Sequence, residues 1–128
     1  MMIHRTVSRL AALVVFATCL AAQAGTVVIN HAEYGFNKIV KNNKNRKVHI
    51  DERVNITQIV HQWVITKTVV DNLKSMDDTF GDPSPGRQKS LNILYSVNGK
   101  DETLSLGENQ LPEFIEWIHK MRKINKVE

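Results

Sequence analysis

Two short-spaced pairs, His31 with Glu33 and His49 with Asp51, combine the residue types best suited to chemistry. Residues two apart in an extended strand point to the same face. Two such pairs on neighbouring strands would offer imidazole nitrogen and carboxylate oxygen to a divalent metal. The spacing is common by chance, so these side chains are read as solvated or locally hydrogen-bonded, with no metal site and no cofactor. Serine chemistry has even less support. Ser84 lies in a proline-flanked turn, and Ser90, Ser96 and Ser105 fall on candidate strands. A triad needs a base and an orienting group beside its serine, and no sequence signature marks one. The carboxylates are scattered singly, and no glycine-rich phosphate loop occurs. The chain is read as a non-enzyme.

The first 24 residues set the compartment. Arg5 and Arg9 precede an apolar run over residues 10–22, and Ala22-Gln23-Ala24 has the small-x-small pattern of a signal-peptidase site. The run is shorter than the about 20 residues a membrane span needs, which disfavours an uncleaved anchor. Residues 1–24 are therefore expected to be a signal peptide, and residues 25–128 a single secreted or periplasmic domain. The one cysteine, Cys19, lies in the leader, and Thr18 before it is not the small residue a lipoprotein site prefers. The mature part then has no thiol for a disulfide, a zinc site or catalysis. Removing Arg5 and Arg9 from the formal net charge of +4 leaves +2. Such a mixed surface is no nucleic-acid footprint. The local exception is the basic, Asn-rich run Lys41-Asn42-Asn43-Lys44-Asn45-Arg46-Lys47. It reads as a solvated tip between strands, with contact to a polyanion or anionic surface as the alternative.

The elements that must position these residues are mainly strands. Residues 26–30 are β-branched and start the first strand, and residues 36–40 extend it or pair with the next. Residues 48–51 and 54–57 alternate apolar and polar. Thr57 is a plausible N-cap for a short helix over residues 58–64, where Ile59, Val60 and Trp63 recur at helical spacing. Residues 65–73 are a further strand candidate, and residues 75–86 are dense in turn formers. The clearest signal is a hairpin: Leu91, Ile93, Tyr95 and Val97 alternate up to Asn98-Gly99, the preferred two-residue type I′ turn. That turn pairs Val97 with Lys100, Tyr95 with Glu102, Ile93 with Leu104 and Leu91 with Leu106, placing the apolar residues on one face. Pro112 suits a first helical turn, and Leu111, Phe114, Ile115, Trp117, Ile118, Met121 and Ile124 line one face of a C-terminal amphipathic helix from about residue 111. Charges on its other face predict docking on its own domain and no stable membrane insertion. The fold class expected is mainly β: a single antiparallel β-sandwich-like domain with a short internal helix and this C-terminal helix.

The order of Ile29-x-x-Ala32-x-Tyr34-Gly35, Val54-Asn55-Ile56-Thr57, Phe80-Gly81-Asp82-Pro83-Ser84-Pro85-Gly86 and Lys89-x-Leu91-x-Ile93-x-Tyr95-x-Val97-Asn98-Gly99 resembles a small β-rich domain. That domain forms the C-terminal part of a mitochondrial J-domain co-chaperone, and similar domains occur in secreted microbial proteins. The turn around Gly81 to Gly86 is the most specific element, and the family pattern has Asp where this chain has Asn55. The resemblance covers roughly residues 27–106 and implies a fold. It implies no J-domain activity and carries over no catalytic residue.

The function read from the residues is that of an exported non-catalytic binding or protein-interaction module, with Asp82, Ser84, Tyr34 and Trp63 as binding residues. Pro83 and Pro85 stiffen the loop carrying Asp82 and Ser84, and Gly81 and Gly86 supply the φ freedom its turns need, so the loop suits a preorganised contact surface. Its partner would be a protein or glycan of the cell envelope or exterior, not a nucleic acid. A carbohydrate-binding domain would need exposed Trp63 or Tyr34 to stack on sugar. A small inhibitor or immunity protein would act through the rigid loop itself. Asn55-Ile56-Thr57 is a glycosylation sequon, relevant only in a eukaryotic secretory route.

Overall fold

The computed structural model describes residues 25–128; the expected signal peptide, with Cys19, lies outside the described residues. The order of elements is β1 (Val27–Lys41), β2 (Lys47–Asn55), α1 (Thr57–Ile65), α2 (Met76–Phe80), β3 (Ser90–Val97), β4 (Lys100–Gly107) and α3 (Leu111–Ile124). The four strands form one antiparallel sheet in the order β2-β1-β3-β4. The fold is thus mainly β and antiparallel, and the layer that covers the sheet is helical.

One face of the sheet is dry. Val27, Ile29, Ala32 and Tyr34 from β1 and Leu91 and Ile93 from β3 point into a core shared with Val60 and Val64 of α1 and Phe114, Ile118 and Met121 of α3. Strict alternation would place Ile29 and Ala32 on opposite faces. The β1–β3 register shifts between Ile29 and His31, and that bulge returns Ala32 and Tyr34 to the buried side. The opposite face is open and mostly polar, with Val28 and Leu94 among its exposed apolar side chains.

The β3–β4 register pairs Leu91 with Leu106, Ile93 with Leu104, Tyr95 with Glu102 and Val97 with Lys100, as the turn predicts. Asn98 and Gly99 take φ of 53° and 83°, the left-handed region a type I′ turn requires. The turn is also a docking point: Asn98 Oδ1 accepts from the backbone N–H of Gly25 and of Thr26, at 2.7 and 3.0 Å. This ties the hairpin to the start of β1.

Elsewhere the sequence expectations need correction. The alternating stretches at residues 48–51 and 54–57 meet in one strand, β2, which runs unbroken over Lys47–Asn55 and leaves Ile56 and Thr57 beyond its end. Thr57 is not an N-cap. Ile56 takes that place with no side-chain cap, and Thr57 Oγ1 is engaged by Asn55 Oδ1 at 2.6 Å and the Ala32 amide at 2.9 Å. Residues 66–73 form no strand, and among the described residues no strand lies alongside them. Arg122 of α3 organises this segment instead. Its guanidinium is buried and donates to the carbonyls of Trp63 (2.6 Å) and Thr68 (2.5 Å) and to Glu128 (3.1 Å). That contact docks α3 against the end of α1, and Val70 fills the core beneath.

Candidate functional site

The loop after α2 is built around Lys89, which stands one residue before β3 and is only 3% exposed. A buried ammonium is very costly unless it is paired and hydrogen-bonded. Here Nζ lies 2.9 Å from Asp82, 3.6 Å from Asp77 and 3.6 Å from Glu108. It also donates to the carbonyls of Arg87 (2.9 Å) and Ser84 (3.2 Å). The backbone N–H of Lys89 donates to Glu108 as well. One side chain thereby joins the start of β3, helix α2, the proline loop and the end of β4.

The neighbours of this clamp are fixed in turn. Ser75 caps α2 by accepting from the Asp78 amide at 3.0 Å, which sets the position of Asp77. The other oxygen of Asp77 accepts from the Tyr34 hydroxyl at 2.5 Å. Burial, then the hydrogen bond and negative charge of Asp77, push the Tyr34 phenol far above its ordinary range. Burial alone would lower the Lys89 pKa, but the hydrogen bond its ammonium donates to Asp82 and the charges of Asp77, Glu108 and Asp82 outweigh it and raise it. Its carboxylate partners therefore hold the ammonium in the charged form. Ser84 Oγ is buried and has no hydrogen-bond partner among the described residues, and its carbonyl accepts from Lys89 Nζ.

Three of the four sequence-predicted residues meet here. Tyr34, Asp82 and Ser84 converge on Lys89, Tyr34 through Asp77. Trp63 reaches the same region through Phe80, whose ring lies 5.8 Å from Trp63 and 5.5 Å from Tyr34. Their exposure corrects the reading of them as contact residues. Tyr34 and Ser84 are wholly buried, so neither can touch a partner. Trp63 is half-buried against Phe80 and Phe114. Asp82 keeps its outer side in water, beside exposed Gly81, Pro85 and Gly86. Sequence reasoning missed Lys89 and its partners Asp77 and Glu108, which lie twelve residues before it and nineteen after.

Glu108 also lines an open cleft of about 600 Å³, with Leu73, Lys74, Ser75, Leu111 and Ile115 around it. Glu108 thus links the clamp to this cleft.

The histidine pairs have separate fates. On the open face of the sheet His31 lies 3.1 Å from Glu33. Arg53 donates to Glu33 at 2.6 Å and to both oxygens of Asp51 at 2.6 and 2.8 Å. A guanidinium therefore occupies the space between the two carboxylates that a metal would need, and its hydrogen bonds hold the Asp51 carboxyl below its usual range. His49 turns instead to Asn37, at 2.5 Å. Among the described residues no group of three His, Cys, Asp or Glu side chains is placed to hold a metal ion.

Comparison with known proteins returns no matching family model, no matching curated protein and no matching solved structure.

Proposed function

We propose that this protein is an exported, non-catalytic binding module whose contact surface is the loop over residues 81–86, extended by the neighbouring cleft. The observation that carries the reading is the Lys89 clamp. It spends the cluster's ionisable groups on each other and holds the loop in one shape. A loop already ordered loses less conformational freedom on binding, so more of its contact energy appears as affinity. The exposed rim of Gly81, Asp82, Pro85 and Gly86 is small and rigid, which suits a protein partner of the envelope or exterior. An inhibitor or immunity protein is one form this would take. The carbohydrate alternative loses its support, because Tyr34 is buried and Trp63 packs on Phe80 and Phe114.

Cross-linking to a native envelope extract, with captured proteins identified by mass spectrometry, tests the reading. Asp82→Ala combined with Pro85→Ala should abolish capture of a specific protein while the melting curve stays cooperative. Full capture by that variant would reduce the loop to a connection between α2 and β3. Hydrolytic turnover of any substrate, abolished by a single carboxylate or histidine change, would overturn the non-catalytic reading.

A further inference from the structure

A second surface lies at the far end of β1, independent of the loop. β1 pairs with β3 only as far as Gly35, whereas its pairing with β2 continues to Lys41 and Lys47. Beyond Gly35 the sheet is therefore a two-stranded arm. Its tip is a formed turn: the Asn42 carbonyl accepts from the Asn45 amide, the Asn42 amide donates to Arg46 O, and Asn42 Oδ1 accepts from the amides of Lys44 and Arg46.

Residues 36–50 carry Lys38, Lys41, Lys44, Arg46 and Lys47 and no Asp or Glu. Those cations exceed the net charge of +2 over residues 25–128, so the rest of the domain is net acidic. Among the described residues none of the five is in an ion pair. The acids nearest in β2, Asp51 and Glu52, face Arg53 and Arg87 instead. The field at the tip is therefore not cancelled locally. The strand alternation puts Lys38 on one face of the ribbon and Lys41 and Lys47 on the other, with Lys44 and Arg46 at the turn. A planar surface would meet only one of these faces at a time. A flexible chain can pass around the ribbon and meet all of them.

We infer that the arm binds a linear, flexible polyanion whose charges lie along its backbone. Residues 41–47 at the tip include no aromatic side chain to stack a base, and Phe36 at the base of the arm is covered by the Arg87 guanidinium, 4.9 Å from its ring centre. The polymer's charges, not bases, are what the arm reads.

Long-chain inorganic polyphosphate, end-labelled for fluorescence anisotropy, is the probe. The full domain should bind it, with affinity falling steeply as salt rises. The fourfold variant Lys41→Ala, Lys44→Ala, Arg46→Ala, Lys47→Ala should bind at least about tenfold more weakly and flatten the log Kd against log salt slope by about three units. The arm lies outside the core, so its melting temperature should not change. Equal affinity and slope in the variant would overturn the inference. So would tighter binding to single-stranded DNA than to polyphosphate of equal charge. Adsorption to phosphatidylglycerol vesicles that polyphosphate does not displace would also overturn it, in favour of a planar surface.

Discussion

Lys89 and Asp82 approach to 2.9 Å across a turn containing two prolines, and the lysine is the buried partner while the aspartate stays half in water. The pair is asymmetric in what it costs to break. Loss of the lysine leaves carboxylates that can rehydrate, whereas loss of the carboxylates would strand a buried cation.

Lys89→Met retains the apolar stem and removes the charge. It should destabilise the domain by about 1–3 kcal/mol, below the usual cost of breaking a fully buried pair because Asp77, Asp82 and Glu108 remain partly hydrated. Urea melts check the size. Amide exchange should accelerate through residues 81–88 more than in β3. A variant as stable as the parent, with unchanged exchange in the loop, would show that the clamp does not order it.

The hairpin should respond to its turn and to its inward face. Gly99 has φ of 83°, a conformation in which a β-branched residue is strained, so Gly99→Val should cost about 1–2 kcal/mol. Ile93 is fully buried, and Ile93→Ala should cost about 2–5 kcal/mol. Denaturant titration with a common slope would measure both.

Stability should also depend on pH through His119. It lies 2.9 Å from Asp71 and 2.6 Å from Glu128, and hydrogen bonds to Asp71 and then Glu128 raise its pKa above the ordinary 6.5. Burial of the imidazole opposes this without reversing it. A group whose folded pKa is raised contributes fully below its unfolded value and ceases to contribute as pH rises through the folded one. The melting temperature should therefore fall as pH rises from about 6.5 through the His119 transition, and His119→Asn should remove that part of the profile. An NMR titration placing the imidazole at or below 6.5 would contradict the ion-paired geometry.

Removing residues 111–128 should leave no cooperative melt. Phe114, Trp117, Ile118 and Met121 form much of the layer over the sheet, and Arg122 is what holds residues 66–70 in place. Loss of solubility and binding of a hydrophobic dye are the expected readouts. An intact transition would make α3 an independent arm.

The elements legible in the sequence are those whose evidence is local. The hairpin announces itself by alternation on both sides of Asn98-Gly99, and α3 by a broad apolar arc behind Pro112. Residues 65–73 mislead because β-branched residues need a neighbouring strand to become one, and the topology supplies none. The Lys89 clamp is illegible for a different reason. Its partners are spread from Tyr34 to Glu108, and a lysine within Arg87-Gln88-Lys89-Ser90 reads as a surface residue until its surroundings are known. Arg122, between Met121 and Lys123, is hidden in the same way. Tyr34 and Ser84 are buried where the sequence reading expects contact residues, since residue type alone does not distinguish a contact residue from one that supports it.

Gly35 divides β1 into two stretches under different constraints. A side chain there would overlap the Glu52 carbonyl oxygen, so only glycine fits against β2 at this position. Before it, Val27, Ile29, Ala32 and Tyr34 are bound to the core by size and shape. After it, hydrogen bonds join only one neighbouring strand and can open while the core stays closed. The arm can therefore be lengthened, shortened or recharged with little effect on folding. Its composition is a free variable of the domain, and the same core could carry arms of quite different specificity.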